Sequence, residues 1–163
     1  MLSVEIRPAD VSEIDDVIML NRVNLPENYP TQFFYEILSQ FPKTFIIAKH
    51  GLQTIGYIMI RVEKSLSVLR WVNRAHVISI TVHKAFRRQG IGERLMLTAC
   101  NNAYTEYKAT EVYLEVRVTN MPAISLYKKL GFEIKEVSRG YYSDGEDAYV
   151  MQAQLPLRGG DSS

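Results

Sequence analysis

Apolar and polar residues alternate in two rhythms along this chain, and the changes of rhythm mark its elements. Val4-Glu5-Ile6-Arg7 alternates with period two, as a half-buried strand does, until Pro8 stops it. Ile14, Val17, Ile18 and Asn21 then recur at helical spacing, and Asp10 with Glu13 forms a capping box ahead of them. A loop stiffened by two prolines, Leu25-Pro26-Glu27-Asn28-Tyr29-Pro30, leads into a second helix. Thr31 is placed to cap that helix, Phe33, Phe34, Ile37, Leu38 and Phe41 give it i, i+4 pairs, and Pro42 ends it. Two strand-like runs, 44–49 and 54–62, join around His50-Gly51 as a hairpin. Residues 63–74 are polar, mixed in charge and without clear period, and read as a loop.

The next run, 76–82, is mostly apolar and β-branched and reads as a buried strand. It passes through His83 to Phe86 into Arg87-Arg88-Gln89-Gly90-Ile91-Gly92, which opens a helix whose Met96, Ala99, Cys100 and Ala103 face the sheet. A strand over 111–118 follows. Asn120-Met121-Pro122 then starts a short helix carrying Ala123, Ile124, Leu126, Tyr127 and Leu130, closed by Gly131. Strands over 132–137 and 148–155, with Asp144-Gly145 in the turn between them, complete the pattern. The order β-α-α-β-β-β-α-β-α-β-β predicts one mixed sheet in a single α/β domain (an α+β mixed sheet) over 1–156, with a flexible tail over 157–163.

Composition narrows this further only by exclusion. A chain of 163 residues with a formal net charge of +1 is about one domain and gives no reason to expect nucleic acid or an anionic membrane as a partner. The single cysteine, Cys100, rules out an internal disulfide and Cys-rich zinc sites. No apolar run approaches the ~20 residues of a membrane span, and no charged-then-apolar leader opens the chain, so the expected compartment is the cytoplasm.

The chemistry concentrates where strand 76–82 meets its helix. A helix start presents unpaired N–H groups and partial positive charge, Gly90 and Gly92 let an anion approach the backbone, and Arg87 and Arg88 add fixed charge. The three glycines of a dinucleotide fingerprint and the Gly-Lys-Ser/Thr of a Walker loop are both missing. The pattern present, Arg87-x-x-Gly90-x-Gly92, resembles the acetyl-CoA pyrophosphate signature of the GNAT acetyltransferases. Asn120-x-x-Ala123-x-x-x-Tyr127-x-x-x-Gly131-Phe132 is similar to a second segment of that family. Leu25 to Tyr29, Ala75 to Ser79 and Tyr141 to Tyr149 resemble, more narrowly, the catalytic subunits of NatA-type protein N-terminal acetyltransferases and their RimI-like and archaeal relatives.

The resemblance implies the GNAT acyl-CoA N-acyltransferase fold and acetyl transfer from acetyl-CoA to the α-amine of protein N-termini beginning with Ser, Ala, Thr or Met. It implies a pantetheine arm on the backbone of Ile80, Thr81 and Val82, a pyrophosphate wrapped by Arg87, Arg88, Gln89, Gly90, Ile91, Gly92 and Glu93, and further cofactor contacts from Asn120, Tyr127, Lys128 and Lys129. It also makes Tyr29 and Tyr142 walls of a peptide tunnel and leaves room for an auxiliary subunit. A free α-amine, with a pKa near ~7.7–8, needs only a modest base. The resemblance makes Glu27, acting through water, the first candidate and His76, as a relay, the second; it also implies that Tyr127, which spacing alone would read as a core residue, is the acid for the departing sulfur. His76 with Glu115 would supply two metal ligands, too few for a committed site, so no metal is expected. Lysine or small-amine acetylation is the rival within the enzyme class. A CoA-binding subunit without turnover is the rival outside it.

Overall fold

The computed structural model describes residues 3–158. Its elements in chain order are β1 Glu5–Pro8, α1 Ile14–Asn24, α2 Thr31–Gln40, β2 Phe45–His50, β3 Gln53–Ser67, β4 Arg70–Val82, α3 Ile91–Tyr107, β5 Glu111–Arg117, α4 Met121–Lys129, β6 Glu133–Ser138 and β7 Ala148–Gln154. The strands form one seven-stranded sheet in the order β1-β2-β3-β4-β5-β7-β6, in which only the β4–β5 pair is parallel. This is the expected element order and a mixed sheet.

Each face of the sheet carries its own core. Phe45, Ile47, Tyr57 and Met59 pack against Ile14, Val17, Ile18, Phe34 and Ile37 of α1 and α2. Ile46, Ile58, Ile60, Ala75 and Val77 pack against Leu95, Met96, Ala99, Cys100 and Ala103 of α3. Strands buried on both faces read as continuous apolar runs, which is why β2 and β3 show no alternation. The predicted capping box is present: Asp10 accepts from Ser12 N, while Asp10 N donates to Glu13. It opens a short 3-10 turn that runs into α1.

Three expectations need correction. Residues 63–74 are not a loop: β3 and β4 continue as a paired arm to Ser67 and Arg70, closed by Val68 and Leu69 at φ 41° and 69°. Both central residues take the left-handed region that a two-residue hairpin turn demands, without the Asn-Gly or Asp-Gly that announces one. Thr31 does not cap α2. Pro30 holds that position, and Thr31 Oγ1 instead accepts from Arg22 at 3.2 Å. Leu157, expected in the tail, is instead buried, and its N–H donates to Asn101 Oδ1. The rest of the expected tail, 159–163, lies outside the described residues. Among the described residues no helix is long and apolar enough to cross a membrane.

Candidate active site

The site exists because β4 and β5 part company. They pair only over Arg74–His76 and Glu111–Tyr113. Beyond that point Met59 opposes Ser79 and Ile60 opposes Val77, leaving Ile78 as a bulged residue that turns β4 away from its neighbour. Two recesses of about 540 and 580 Å³ occupy the opening, and they share Asn24, Leu25, Ile80, Asn120 and Tyr127.

The first recess lies at the start of α3. His83 N donates to Ile55, so by the period of two Thr81 also spends its backbone on β3, while Ile80 and Val82 direct theirs into the opening. Of the three residues expected to meet a pantetheine arm, Ile80 is therefore the best placed. Val82 O already accepts from Arg87 Nε at 3.0 Å. Gly90 stands at the N-cap of α3 with φ 77° and no side chain to cap it. The first helical bond runs from Arg94 N to Gly90 O, so the N–H groups of Ile91, Gly92 and Glu93 are the first-turn donors. Arg87, Arg88 and Lys129 line the same recess, and Lys129 pairs with Glu93 at 3.2 Å. Uncapped donors beside three cations fit a pyrophosphate. Asn120 Oδ1 accepts from Ala123 N and caps α4. Gln89 and Lys128 lie outside the lining of this recess.

The second recess is ringed by aromatic residues. Tyr29 stacks on Phe33 and donates to Ile78 O at 3.0 Å, the carbonyl exposed by the bulge. Tyr142 lies across the opening, its ring 4.0 Å from the guanidinium of Arg117. Glu27 Oε1 accepts from Arg117 at 2.6 Å, which leaves its second oxygen for water or substrate. Arg117 also holds Glu146 at 2.8 Å and Asp144 at 2.9 Å, so one guanidinium fixes the loop of Glu27 and the loop of Tyr142 together. Those hydrogen bonds, Glu146 first, hold the guanidinium firmly charged. Bonds from Thr119 and then Arg117 lower the Glu146 carboxyl below its usual range.

His76 and Glu115 come together as expected, with Nε2 2.7 Å from Oε1. Facing a carboxylate, Nε2 carries the proton and donates, while Nδ1 is enclosed without a partner. The ring stacks on Tyr113 at 4.2 Å, nearly parallel. Among the described residues no third His, Cys, Asp or Glu joins the pair to make a metal site. Tyr127 is 7% exposed and lines both recesses at their junction. Burial pushes its phenol up to about 12, so it keeps its proton throughout the neutral range. Burial likewise raises Tyr29 to about 12 and raises Tyr142.

Sequence reasoning missed two organising residues. Arg117 was legible in principle: Glu111, Tyr113, Glu115 and Arg117 alternate with Val112, Leu114 and Val116, which puts Arg117 on the polar face that bears Glu115. Asn21 was read as part of the apolar face of α1. It is fully buried and donates to Tyr57 Oη at 3.1 Å and to Glu27 O at 3.3 Å, and Tyr57 Oη in turn shares a hydrogen bond with Ser79 Oγ at 2.6 Å. That chain pins the Glu27 loop to the sheet.

Residues 14–132 match the acetyltransferase (GNAT) family. An N-alpha-acetyltransferase of Sulfurisphaera tokodaii is 47% identical over 154 residues, covering 92% of each chain. The N-terminal acetyltransferase A complex catalytic subunit ard1 of Schizosaccharomyces pombe is 31% identical over 150 residues, covering 91% of this chain and 84% of that one. Among solved structures, a chain of the NatC complex bound to Gag peptide and CoA superposes with a TM-score of 0.87 at 25% identity, over 94% of this chain and 99% of that one.

Proposed function

This chain belongs to the acetyltransferase (GNAT) family and is an N-alpha-acetyltransferase that uses acetyl-CoA; we propose that it joins the two substrates where its recesses meet, with Glu27 as base and Tyr127 as acid. The observation that carries this reading is the shared lining of Ile80, Asn120 and Tyr127 between an anion cradle and an aromatic recess that holds a carboxylate. Bound acetyl-CoA supplies an activated thioester and a thiolate leaving group.

The residues of the chain do the rest. The Ile80 backbone offers an added-strand contact that aligns the arm without reading side chains. Tyr29 and Tyr142 flank an extended N-terminus and hinder a lysine on a folded surface. The α-amine must lose a proton, and Glu27 takes it directly or through water because Arg117 fixes one oxygen and leaves the other. His76 spends Nε2 on Glu115 and its Nδ1 is enclosed, so the dyad is better suited to steady the recess floor and the field there than to reach the amine. Tyr127, neutral at working pH, donates its phenolic proton toward the sulfur. The setting this implies is cytoplasmic, with protein N-termini beginning Ser, Ala, Thr or Met as substrates, alone or beside an auxiliary subunit.

A peptide panel tests the assignment: free termini beginning Ser, Ala, Met-Leu and Met-Glu, and one N-blocked lysine peptide, each with acetyl-CoA. Turnover is expected on free termini only. Glu27→Gln and Tyr127→Phe should each lower kcat by about 100-fold or more while CoA binding persists. Activity confined to the lysine peptide would overturn the substrate, and unchanged kcat in both variants would overturn the roles.

A further inference from the structure

Every charged side chain in the peptide recess but one is held in a close pair. Glu27 and Arg117 are 2.6 Å apart, and His76 and Glu115 2.7 Å apart. The exception is Arg61, which lines the same recess, is 39% exposed along its side chain, and among the described residues approaches only one carboxylate, Glu63, at 3.7 Å. Tyr113 holds Glu63 by Oε1 at 2.5 Å, and Oε2 faces Arg61 Nε only at that longer distance. Arg61 thus has forked donors to offer in a place where a substrate passes.

The register says which part of the substrate meets it. Arg61 lies directly opposite His76 on β3 and β4, so the two side chains share a face of the sheet. The transfer junction is at Ile80, four residues further along β4. At ~3.3 Å per residue the span from junction to His76 is about 13 Å, which is roughly four residues of an extended peptide. We propose that Arg61 is a specificity-determining residue that binds an acidic side chain about the fourth residue of the substrate. This rests on the N-alpha-acetyltransferase reading above.

The surrounding charge makes the proposal position-specific. Glu27, Glu63, Glu115, Asp144 and Glu146 outnumber Arg61 and Arg117 around the recess. Their field disfavours an acidic side chain near the junction. Only beside Arg61 does a close guanidinium overcome it.

The test uses the parent enzyme and C-terminally amidated hexapeptides beginning Ser-Ala, with Glu, Gln or Lys placed singly at residues 3, 4 or 5. Glu at residue 4 should raise kcat/KM about three-fold over Gln, mainly through KM, and Lys should lower it by a similar factor, as a partly exposed ion pair allows. High salt should flatten the difference. Arg61→Gln should abolish it, and Arg61→Lys should retain part. A flat profile in the parent, or Glu penalised at all three positions, would overturn the proposal without needing a variant. So would an Arg61→Gln enzyme whose kcat falls equally on every peptide, which would mark a role in the transfer step. Turnover on none of these free termini would instead sink the N-alpha-acetyltransferase reading and this inference with it.

Discussion

Arg117 shows how much of the site one side chain organises. It bonds Glu27, Asp144 and Glu146 and lies over the ring of Tyr142, joining two loops that are far apart in the chain. Removing it frees Glu27, the proposed base, and one wall of the recess at once, yet touches no residue around the start of α3. Arg117→Gln should therefore lower kcat/KM for peptide by about 100-fold, since small misplacements of reacting groups have that effect. The KM for acetyl-CoA should stay near the parent value. Steady-state kinetics with each substrate varied in turn would check this, and a matching rise in both KM values would show that Arg117 also supports the cofactor side. Glu27 itself was legible only as a loop carboxylate. The residue that makes it useful comes from β5, ninety positions later, and local spacing carries no trace of that meeting.

Among the elements, β4 carries the design. Its bulge at Ile78 opens the cleft, and the segment beyond leans on β3 through Gly56. A Cβ at Gly56 would sit 3.1 Å from Thr81 O and 3.3 Å from Leu95 Cδ1, so the glycine lets β3, β4 and α3 close together. Gly56→Ala should cost about 1–3 kcal/mol by overpacking. It should also raise the KM for acetyl-CoA more than that for peptide, because the displaced residues belong to the end of β4 proposed to meet the pantetheine arm and to α3, whose start is the proposed pyrophosphate site. Chemical unfolding and paired KM measurements would test both halves. The β3–β4 arm is the element the sequence concealed. Its strands are a polar mixture held by Tyr113–Glu63 and Arg74–Glu111, and its turn is Val-Leu in left-handed geometry, so neither periodicity nor turn chemistry announces it.

For the molecule as a whole, stability toward acid depends on how the first helix is tied to the sheet. Glu13 is buried, bonded by Arg7 and paired with Lys49, linking the start of α1 to β1 and β2. The bond from Arg7, above all, lowers its carboxyl to about 2. A group whose folded pKa is depressed lends stability above its unfolded value, near ~4.3, and loses it as the pH falls toward the folded value. Melting temperature should therefore decline between pH ~4.5 and pH ~2. Glu13→Gln should flatten that decline and lower the melting temperature at neutral pH by about 5 °C, from ~1.5–3 kcal/mol for bonds to a charged group and ~2–4 °C per kcal/mol. Circular dichroism melts across the pH range would decide, and an unaltered slope in the variant would count against the tie.

The chain alone determined the order of its elements, both apolar faces, the capping box ahead of α1 and the glycine-bearing start of α3. Each of these is written in neighbours a few residues apart, where periodicity, capping and φ preference act. It also supplied, through resemblance, the family and the N-alpha-acetyltransferase activity that the comparisons bear out. Only the tertiary structure decided where β4 leaves β5, that Arg117 fixes Glu27, that Asn21 pins the loop, and that Tyr127 stands at the junction of two recesses. These are meetings between residues distant in sequence. They are set by sheet register, by a bulge and by burial, which short-range patterns do not encode.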